Sequence, residues 1–504
     1  MAEQFSYDQL PYPSYTFPKS FPDRLATMAA LYGIEAADPS SCRLLELGCG
    51  DGTNLLAMAY TTLESRFTGI DLSKVHIEKA RRSAEWIGAN NASFLQADVS
   101  EFDPKSLGEF DYIVTHGLFS WVPEHVRASI LRIYSECLAA KGIGYISYNA
   151  FPGAHIRRML WEMMRFHSDG EKGPAERVKK AREIAVLIAE SVDADTPYGA
   201  VLQREVEKII AREDQGLFHD DLENLNQPFY FYEFVERLKQ NGLRYFAEAD
   251  PEPGIERLST KQIDRINEVS DHDTVRREQL LDFIRGQRFR CSLFCRDSVL
   301  PLDNVSHEAL DSLLLTTRLE QDVSSTDSVT FVGPNGQKIE LNHPLTITVL
   351  KNLKNEWPRA VPFRQALDAI SDPGIVGTDD DLATCRRYLF DLFNVELVEI
   401  HCFQAPFVRD VSAKPEVSRF ARLQVELGSR VVTTMAGANI ELSSPALRVL
   451  TSLLDGRRDL QGLTESMAER IEVPEAEELT LREQLPQMIE SNLQKMCDLG
   501  LLIG

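Results

Sequence analysis

The sequence predicts an α/β fold for roughly the first three hundred of its 504 residues. Two observations carry this: short apolar segments alternate with amphipathic helical ones, and a glycine-rich turn follows the first apolar segment. Alternation of this kind argues for a parallel sheet covered by helices on both faces. Asp23 stands where it can cap a first helix, RLATMAALYG, which Gly33 ends. Residues 42–47 read as a buried strand, and a helix over 53–60 follows the turn. The second strand is 67–70, Ser73 caps a helix to Gly88, and strands three and four are 93–97 and 111–115. Pro123 suits the first turn of the next helix, where its missing N–H costs nothing; Gly142 closes that helix, and 143–148 is the fifth strand.

Residues 155–226 read as helical, with Val178, Ala181, Ala185 and Ile188 on one face and Val201, Leu202, Val206 and Ile209 marking the next helix. A helix over 231–239, a strand over 243–247, helical sequence over 259–285 and a strand over 289–295 come next. Two late strands are what a seven-stranded sheet still lacks after five, so 155–226 is expected to be a helical insertion; an independent helical domain over 151–300 is the alternative. Beyond residue 300, a hairpin over 329–341 turns at Pro334, Asn335 and Gly336, ahead of helices over 343–354, 363–371 and 379–394 and a strand over 396–401. The last hundred residues repeat this order: extended sequence to about 442, then helices over 445–454, 459–470 and 481–498. Pro344 aligns with Pro445 in that duplication, and the order suits two winged-helix-like modules.

Composition narrows the function. The balance of 54 basic against 77 acidic residues gives a net charge of −23, which repels a phosphate backbone and leaves nucleic acid a poor partner. The segment 475–490 opens acidic, which also favours packing on protein over DNA. No apolar run approaches the roughly 18–20 residues of a membrane helix, and the N-terminus lacks the basic and apolar regions of an export signal. The eight cysteines show no C-x-x-C spacing, so the expectation is a cytoplasmic chain with reduced thiols, no disulfide framework and no metal.

The glycine-rich turn reads Glu46-Leu47-Gly48-Cys49-Gly50-Asp51-Gly52-Thr53-Asn54. A dinucleotide site wants G-x-G-x-x-G with its pyrophosphate at a helix N-terminus. Here the spacing is G-x-G-x-G and carboxylates precede and interrupt it, an arrangement that suits a sulfonium cation bearing an amino group better than a pyrophosphate. Asp71 ends the second strand, where a carboxylate can accept both ribose hydroxyls, with Leu72 beside it. Asp98 and the Val99 amide end the third, placed to read an adenine edge. The cofactor expected is S-adenosyl-L-methionine, held by Glu46, Gly48, Cys49, Gly50, Asn54, Asp71, Leu72, Asp98, Val99 and His116. The fold class is therefore α/β, a seven-stranded Rossmann-like methyltransferase sheet with helical insertions, followed by α+β winged-helix-like modules.

For the methyl acceptor, His116 and Trp121 follow the fourth strand, Tyr148 and Asn149 end the fifth, and Tyr12 lies in a proline-stiffened N-terminal stretch able to fold over the site as a lid. The segments YDQLPYPS, FPDRLATMAALYG, LLELGCGDGTN, GIDLS, HGLFSWVP, SYNAFPG and LLDFIRGQRFRCSLFC together resemble bacterial methyltransferases that carry a methyltransferase regulatory region. That family includes rickettsial enzymes methylating lysines of an outer-membrane protein. The resemblance implies a protein-lysine N-methyltransferase whose substrate is a lysine-bearing protein, acting as a homodimer, with the middle and C-terminal regions assisting substrate binding. A small-molecule methyltransferase and a cofactor-binding scaffold without turnover are the alternatives. The expected division is a cofactor-binding core over 1–154, a helical insertion over 155–228, completion of the sheet and regulatory region over 229–297, and winged-helix-like modules over 298–405 and 406–504.

Overall fold

The structure is a computed structural model that describes residues 14–171, 173–249, 258–322, 329–368, 378–470 and 478–503. Its central sheet has seven strands in the order β3-β2-β1-β4-β5-β7-β6. These are β1 (Arg43–Leu47), β2 (Arg66–Asp71), β3 (Ala92–Gln96), β4 (Phe110–Thr115), β5 (Leu138–Asn149), β6 (Leu243–Glu248) and β7 (Phe289–Arg296). The first five pair in parallel, while β7 runs antiparallel to both β5 and β6. Because β6 and β7 hydrogen-bond into the sheet, the reading of 151–300 as an independent helical domain fails. Helices α1 (Pro22–Leu31), α2 (Thr53–Thr61), α3 (Lys74–Ile87) and α4 (Glu124–Cys137) belong to the parallel half. Ser73 caps α3 by accepting from the His76 amide at 3.2 Å, and Gly88 ends it in the left-handed conformation.

Two local readings in the parallel half are corrected. The residue capping α1 is Phe21, with Pro22 in the first turn, so Asp23 lies inside the helix and its carboxylate is used elsewhere. Helix α4 stops at Cys137 and β5 begins at Leu138, which pairs with Phe110. Gly142 sits within that strand and is absent from the glycines of positive φ, so it closes no helix.

The insertion contains α5 (Gly153–Ser168), α6 (Pro174–Ser191), α7 (Pro197–Ala211) and α8 (Asp214–Asp221). Leu160, Met164, Val178, Leu202 and Phe218 give it a core of its own. Its helices are pinned by the buried Asp221 carboxylate, which accepts from Arg157 Nε at 2.8 Å, Trp161 Nε1 at 2.6 Å and Arg212 at 2.8 Å. Then α9 (Phe231–Gln240), α10 (Thr260–Val269) and α11 (Thr274–Arg285) flank the two late strands. The buried Arg290 of β7 joins them through Glu248 of β6 at 2.7 Å and Asp282 of α11 at 2.8 Å. A buried cation held by several carboxylates is far costlier to break on one side than to leave paired, so this half of the sheet is fixed rather than adjustable.

The first C-terminal module has β8 (Leu314–Thr316), β9 (Glu320–Asp322), the hairpin β10 (Val329–Val332) and β11 (Lys338–Leu341), then α12 (Pro344–Glu356), β12 (Val361–Pro362), α13 (Phe363–Asp368), α14 (Asp379–Asn394) and β13 (Glu399–His401). Its apolar residues Leu315, Val349, Leu389 and Ile400 share one buried cluster with Leu25 of α1 and Tyr145 and Leu293 of the large sheet. The Asp23 carboxylate completes the joint by accepting from His401 Nδ1 at 2.7 Å and from the Cys402 and Phe403 amides at 2.9 and 2.8 Å. The second module has α15 (Arg419–Glu426), β14 (Val431–Thr433), β15 (Asn439–Glu441), α16 (Pro445–Leu453), α17 (Leu460–Arg470) and α18 (Glu478–Asp498) around a separate core. Helix α15 corrects the expectation of extended chain up to 442. Ser418 caps it by accepting from the Ala421 amide, and Phe420, Ala421 and Leu423 bury its inner face.

Candidate active site

The glycine-rich turn crosses the carboxyl ends of β1 and β2. Gly48 and Cys49 donate their amides to the Ile70 carbonyl at 2.8 and 3.1 Å, and Gly50 donates to Asp71 Oδ2 at 2.9 Å. Gly48, Gly50 and Gly52 all adopt positive φ, where a side chain would be strained. A Cβ on Gly52 would come within 2.8 Å of Ala80 and Phe94, so this glycine is needed for the helix to pack close under the sheet. Around Gly50 nothing among the described residues lies within 4 Å of a Cβ position, which leaves its backbone open to a ligand. The Cys49 side chain packs on Gly69, so at that position only the backbone faces the loop.

Glu46 is 3% exposed. Its Oε1 accepts from Asn54 Nδ2 at 2.8 Å, whereas Oε2 is buried with no hydrogen-bond partner among the described residues. Burial pushes its carboxyl up to about 8, helped by the negative neighbours Asp71 and Asp51 and opposed by the Asn54 hydrogen bond. Asp51 differs: Lys79 Nζ lies 2.7 Å away, and together with Ser14 and Thr53 it outweighs burial and keeps that carboxyl below its usual range. Asp51 is therefore neutralised locally, and the carboxyl of this loop that can still ionise against a cation is Glu46. Asp71 accepts one amide on each oxygen, Gly50 on Oδ2 and Ser73 on Oδ1 at 2.8 Å, and its remaining lone pairs can take ligand hydroxyls. Asp98 Oδ1 accepts from the Ser100 amide and hydroxyl at 2.8 and 2.7 Å. Leu72 is 43% exposed beside Asp71, while the Val99 side chain is buried in the sheet's core and leaves its backbone as the usable group.

The acceptor side centres on His116. Its ring stacks on Phe17 with centroids 3.7 Å apart, and its Nδ1 lies 2.8 Å from the Tyr145 hydroxyl. Since that hydroxyl donates to Cys291 Sγ at 3.1 Å, it accepts from Nδ1–H, and the lone pair of the neutral imidazole is on Nε2. Burial lowers the His116 pKa to about 3, so the ring accepts hydrogen bonds and is not an imidazolium at neutral pH. Trp121 is half-buried in a single turn over Phe119–Trp121. Asn149 is half-buried as well, and its Nδ2 donates to Asn226 Oδ1 at 2.8 Å while its amide donates to Ser120 Oγ. Tyr148 is corrected: it is 1% exposed, stacked on Phe234 at 4.1 Å with its hydroxyl 3.2 Å from Ser292 Oγ, and belongs to the core behind β5. Strand alternation explains this, because Tyr145, Ser147 and Asn149 share one face and Tyr148 the other. Tyr12 lies outside the described residues.

A segment over 14–17 crosses the glycine-rich turn as a strap. Ser14 donates to Asp51, the Phe17 amide donates to Asn54 Oδ1 at 2.8 Å, and Phe17 supplies the ring on His116. Its outer edge is gripped by the β14–β15 hairpin: the Thr16 hydroxyl donates to the Gly437 carbonyl at 2.7 Å, and Asn439 both accepts from the Thr16 amide and donates to its carbonyl. The sequence pointed to a lid at Tyr12, which lies outside the described residues, and did not single out Phe17. Neither Tyr145 nor Asn226 carried a local signal; each is found only by knowing strand pairing and the path of the insertion.

Comparison with known proteins decides the family. Residues 44–142 match the family described as "Methyltransferase domain", 213–296 the "Predicted methyltransferase regulatory domain", and 413–501 "PKMT, C-terminal winged helix domain". The chain is 33% identical over 238 residues to the uncharacterized protein RP028 of Rickettsia prowazekii (strain Madrid E), spanning 95% of that protein and 47% of its own length. It belongs to the S-adenosylmethionine-dependent methyltransferases that carry this regulatory domain. A second relative, the uncharacterized protein RP789 of the same organism, is 34% identical over 310 residues, and the match spans 61% of this chain but only 56% of that one. Among solved structures, PKMT2 from Rickettsia typhi in complex with AdoHcy superposes with a TM-score of 0.86 at 25% identity, over 98% of this chain and all of that one. The seven-stranded sheet of this methyltransferase and its C-terminal winged-helix module are thus as the sequence led us to expect. The donor loop fits its cofactor on its own evidence as well, through Glu46 Oε2, without a partner among the described residues, and the backbone at Gly50, open among the same residues. No helix among the described residues is long and apolar enough to cross a membrane.

Proposed function

We propose that this methyltransferase N-methylates lysine side chains of a protein substrate. What supports the reading is the likeness, over nearly the whole chain, to PKMT2 from Rickettsia typhi, together with the match of residues 413–501 to a winged-helix domain described for PKMT. Bound S-adenosylmethionine supplies an electrophilic methyl on a sulfonium centre. Glu46, Gly50 and Asp71 would hold it, with Asp98 and the Val99 amide at its base. A lysine must reach the site neutral, and at pH 7 that costs roughly 4–5 kcal/mol from a pKa of ~10.4. Enclosure by Phe17 and Trp121 lowers this cost by desolvating the ammonium. His116 Nε2 accepts a hydrogen bond from the amine and orients it, and Asn149, braced by Asn226, ends the neighbouring parallel strand on the same edge of the sheet.

The deciding experiment gives the protein labelled cofactor with lysine-bearing proteins and with small-molecule amines, and locates the label by mass spectrometry. Label on lysine Nζ of a polypeptide is the expected result; label confined to small molecules favours the alternative of a small-molecule methyltransferase and overturns ours. We place a homodimer contact on the insertion, where Phe166 is 87% and Leu187 56% exposed. Sedimentation is then expected to give twice the 56.9 kDa of one chain, and the monomer mass at micromolar concentration would refute it. We assign the protein to the cytoplasm, since its eight cysteines are all free thiols.

Glu46 gives a pH signature. Its carboxyl, raised to about 8, is mostly protonated at neutral pH, and a cationic ligand favours the carboxylate. Cofactor binding is therefore expected to release up to one proton and to tighten as pH rises toward 8. Calorimetry in buffers of differing ionisation enthalpy reads the proton directly. Glu46→Gln is expected to abolish both the release and the pH slope; a wild-type protein that releases none would sink this assignment.

A further inference from the structure

A cavity of about 230 Å³, which shares no lining residue with the methyl-transfer site, lies at the meeting of three parts of the chain: the root of the strap and α1, the β12-β8-β13 sheet, and the loops around β14–β15. Nothing in the methyl-transfer chemistry uses its groups. We propose that it binds a small amphipathic carboxylate, with the head group on Arg318 and Thr316 and the apolar body among Phe21, Phe403, Phe407 and Met435.

The polar wall is built by strand register. Thr316 pairs across from Glu399, so their side chains share one face of the sheet, and His401, two residues beyond Glu399, falls on that face too. Thr316 is only 2% exposed, lines the cavity, and its hydroxyl has no hydrogen-bond partner among the described residues. A buried hydroxyl without a partner is unfavourable, and a bound acceptor removes that cost. Arg318 lines the same wall, stacked over Trp357 at 5.0 Å, and its ion pair with Glu399 is loose at 3.6 Å. That geometry leaves guanidinium donors for a planar, bidentate acceptor, which a carboxylate provides.

Charge selects an anion. Among the described lining residues, Arg24, Arg318 and the His401 imidazolium face Asp23 and Glu399, one positive charge in excess. Burial works against charge on His401, but Asp23 and Glu399 outweigh it and hold the imidazolium up to about 10. Asp23 is fully engaged by His401 and two backbone amides, so it does not compete for a cationic ligand. Size selects the body: an apolar cavity of about 150 Å³ takes benzene, so this one takes a phenyl ring with a short acidic chain or an acid of similar bulk.

The test uses the full chain and 3-phenylpropanoate, with 3-phenylpropanol and 3-phenylpropylamine as matched probes, followed by calorimetry. The acid is expected to bind, with the alcohol and amine at least tenfold weaker. Arg318→Gln is expected to weaken the acid at least tenfold and Thr316→Val several-fold, while Met435→Trp, which fills the cavity, abolishes binding. Affinity for S-adenosylhomocysteine, measured on each variant, confirms that it is folded. No binding of the acid at millimolar concentration, equal binding of the amine, or an unchanged affinity in folded Arg318→Gln would overturn the proposal.

Discussion

Asp71→Ala is expected to weaken S-adenosylhomocysteine binding at least about 100-fold, because it removes two things at once. Each carboxylate oxygen anchors a backbone amide, at Gly50 and at Ser73, so the substitution frees the glycine-rich turn as well as deleting the acceptor offered to ligand hydroxyls. Hydrogen bonds to a charged group are worth about 1.5–3 kcal/mol each, and two lost to the ligand correspond to a hundredfold or more. Asp71→Asn separates the two effects. It keeps one acceptor oxygen, so it should hold part of the turn while losing the charge, and its affinity should fall between the two. Calorimetric titration checks both variants, and an alanine variant within about threefold of wild type would remove Asp71 from the cofactor site.

The second large effect concerns a residue far from the chemistry. Asp23→Ala is expected to cost about 3–5 kcal/mol, since it leaves two amides without their acceptor and the imidazolium with the looser Glu399 alone at the joint between α1 and β13. The readout is a lower urea midpoint together with proteolytic cleavage near 400–410. The wild-type joint also carries a pH dependence. His401 titrates near 10 in the folded chain against ~6.5 for a free histidine, so its contribution is complete below about 6.5 and fades as pH rises toward 10. Asp23→Ala should flatten that decline, and a variant with unchanged midpoint and slope would show that the joint rests on its apolar contacts alone.

Asp23 also marks where reading the sequence reaches its limit. An acidic residue ahead of an apolar helical run looks like a cap, and only the arrival of a strand 378 positions later reveals its partner. Local signals, by contrast, carried the donor loop. G-x-G-x-G after a strand, and aspartates at two successive strand ends, are set by neighbours within a few residues, and Gly50, Asp71 and Asp98 sit accordingly. The acceptor side depends on which face of β5 points where, and a period of two turns one residue of misjudgement into the opposite face. Tyr148 and Tyr145 were separated on that point alone. Gly142 misled because glycine closes helices and also tolerates strands, and the pairing of Leu138 with Phe110 decided between them. Helix α15 was missed because eight residues give barely two turns of pattern.

The clasp between Thr16 and Asn439 has a thermodynamic corollary. The same few residues touch the donor loop through Asn54 and the tail of the chain through Asn439, so the two associations are linked. Linkage is symmetrical: by whatever factor the tail, once seated, improves retention of the donor, the donor improves seating of the tail by the same factor. A truncation that deletes the final ninety residues would then register as faster donor escape, even though none of the atoms grasping the nucleoside had been removed.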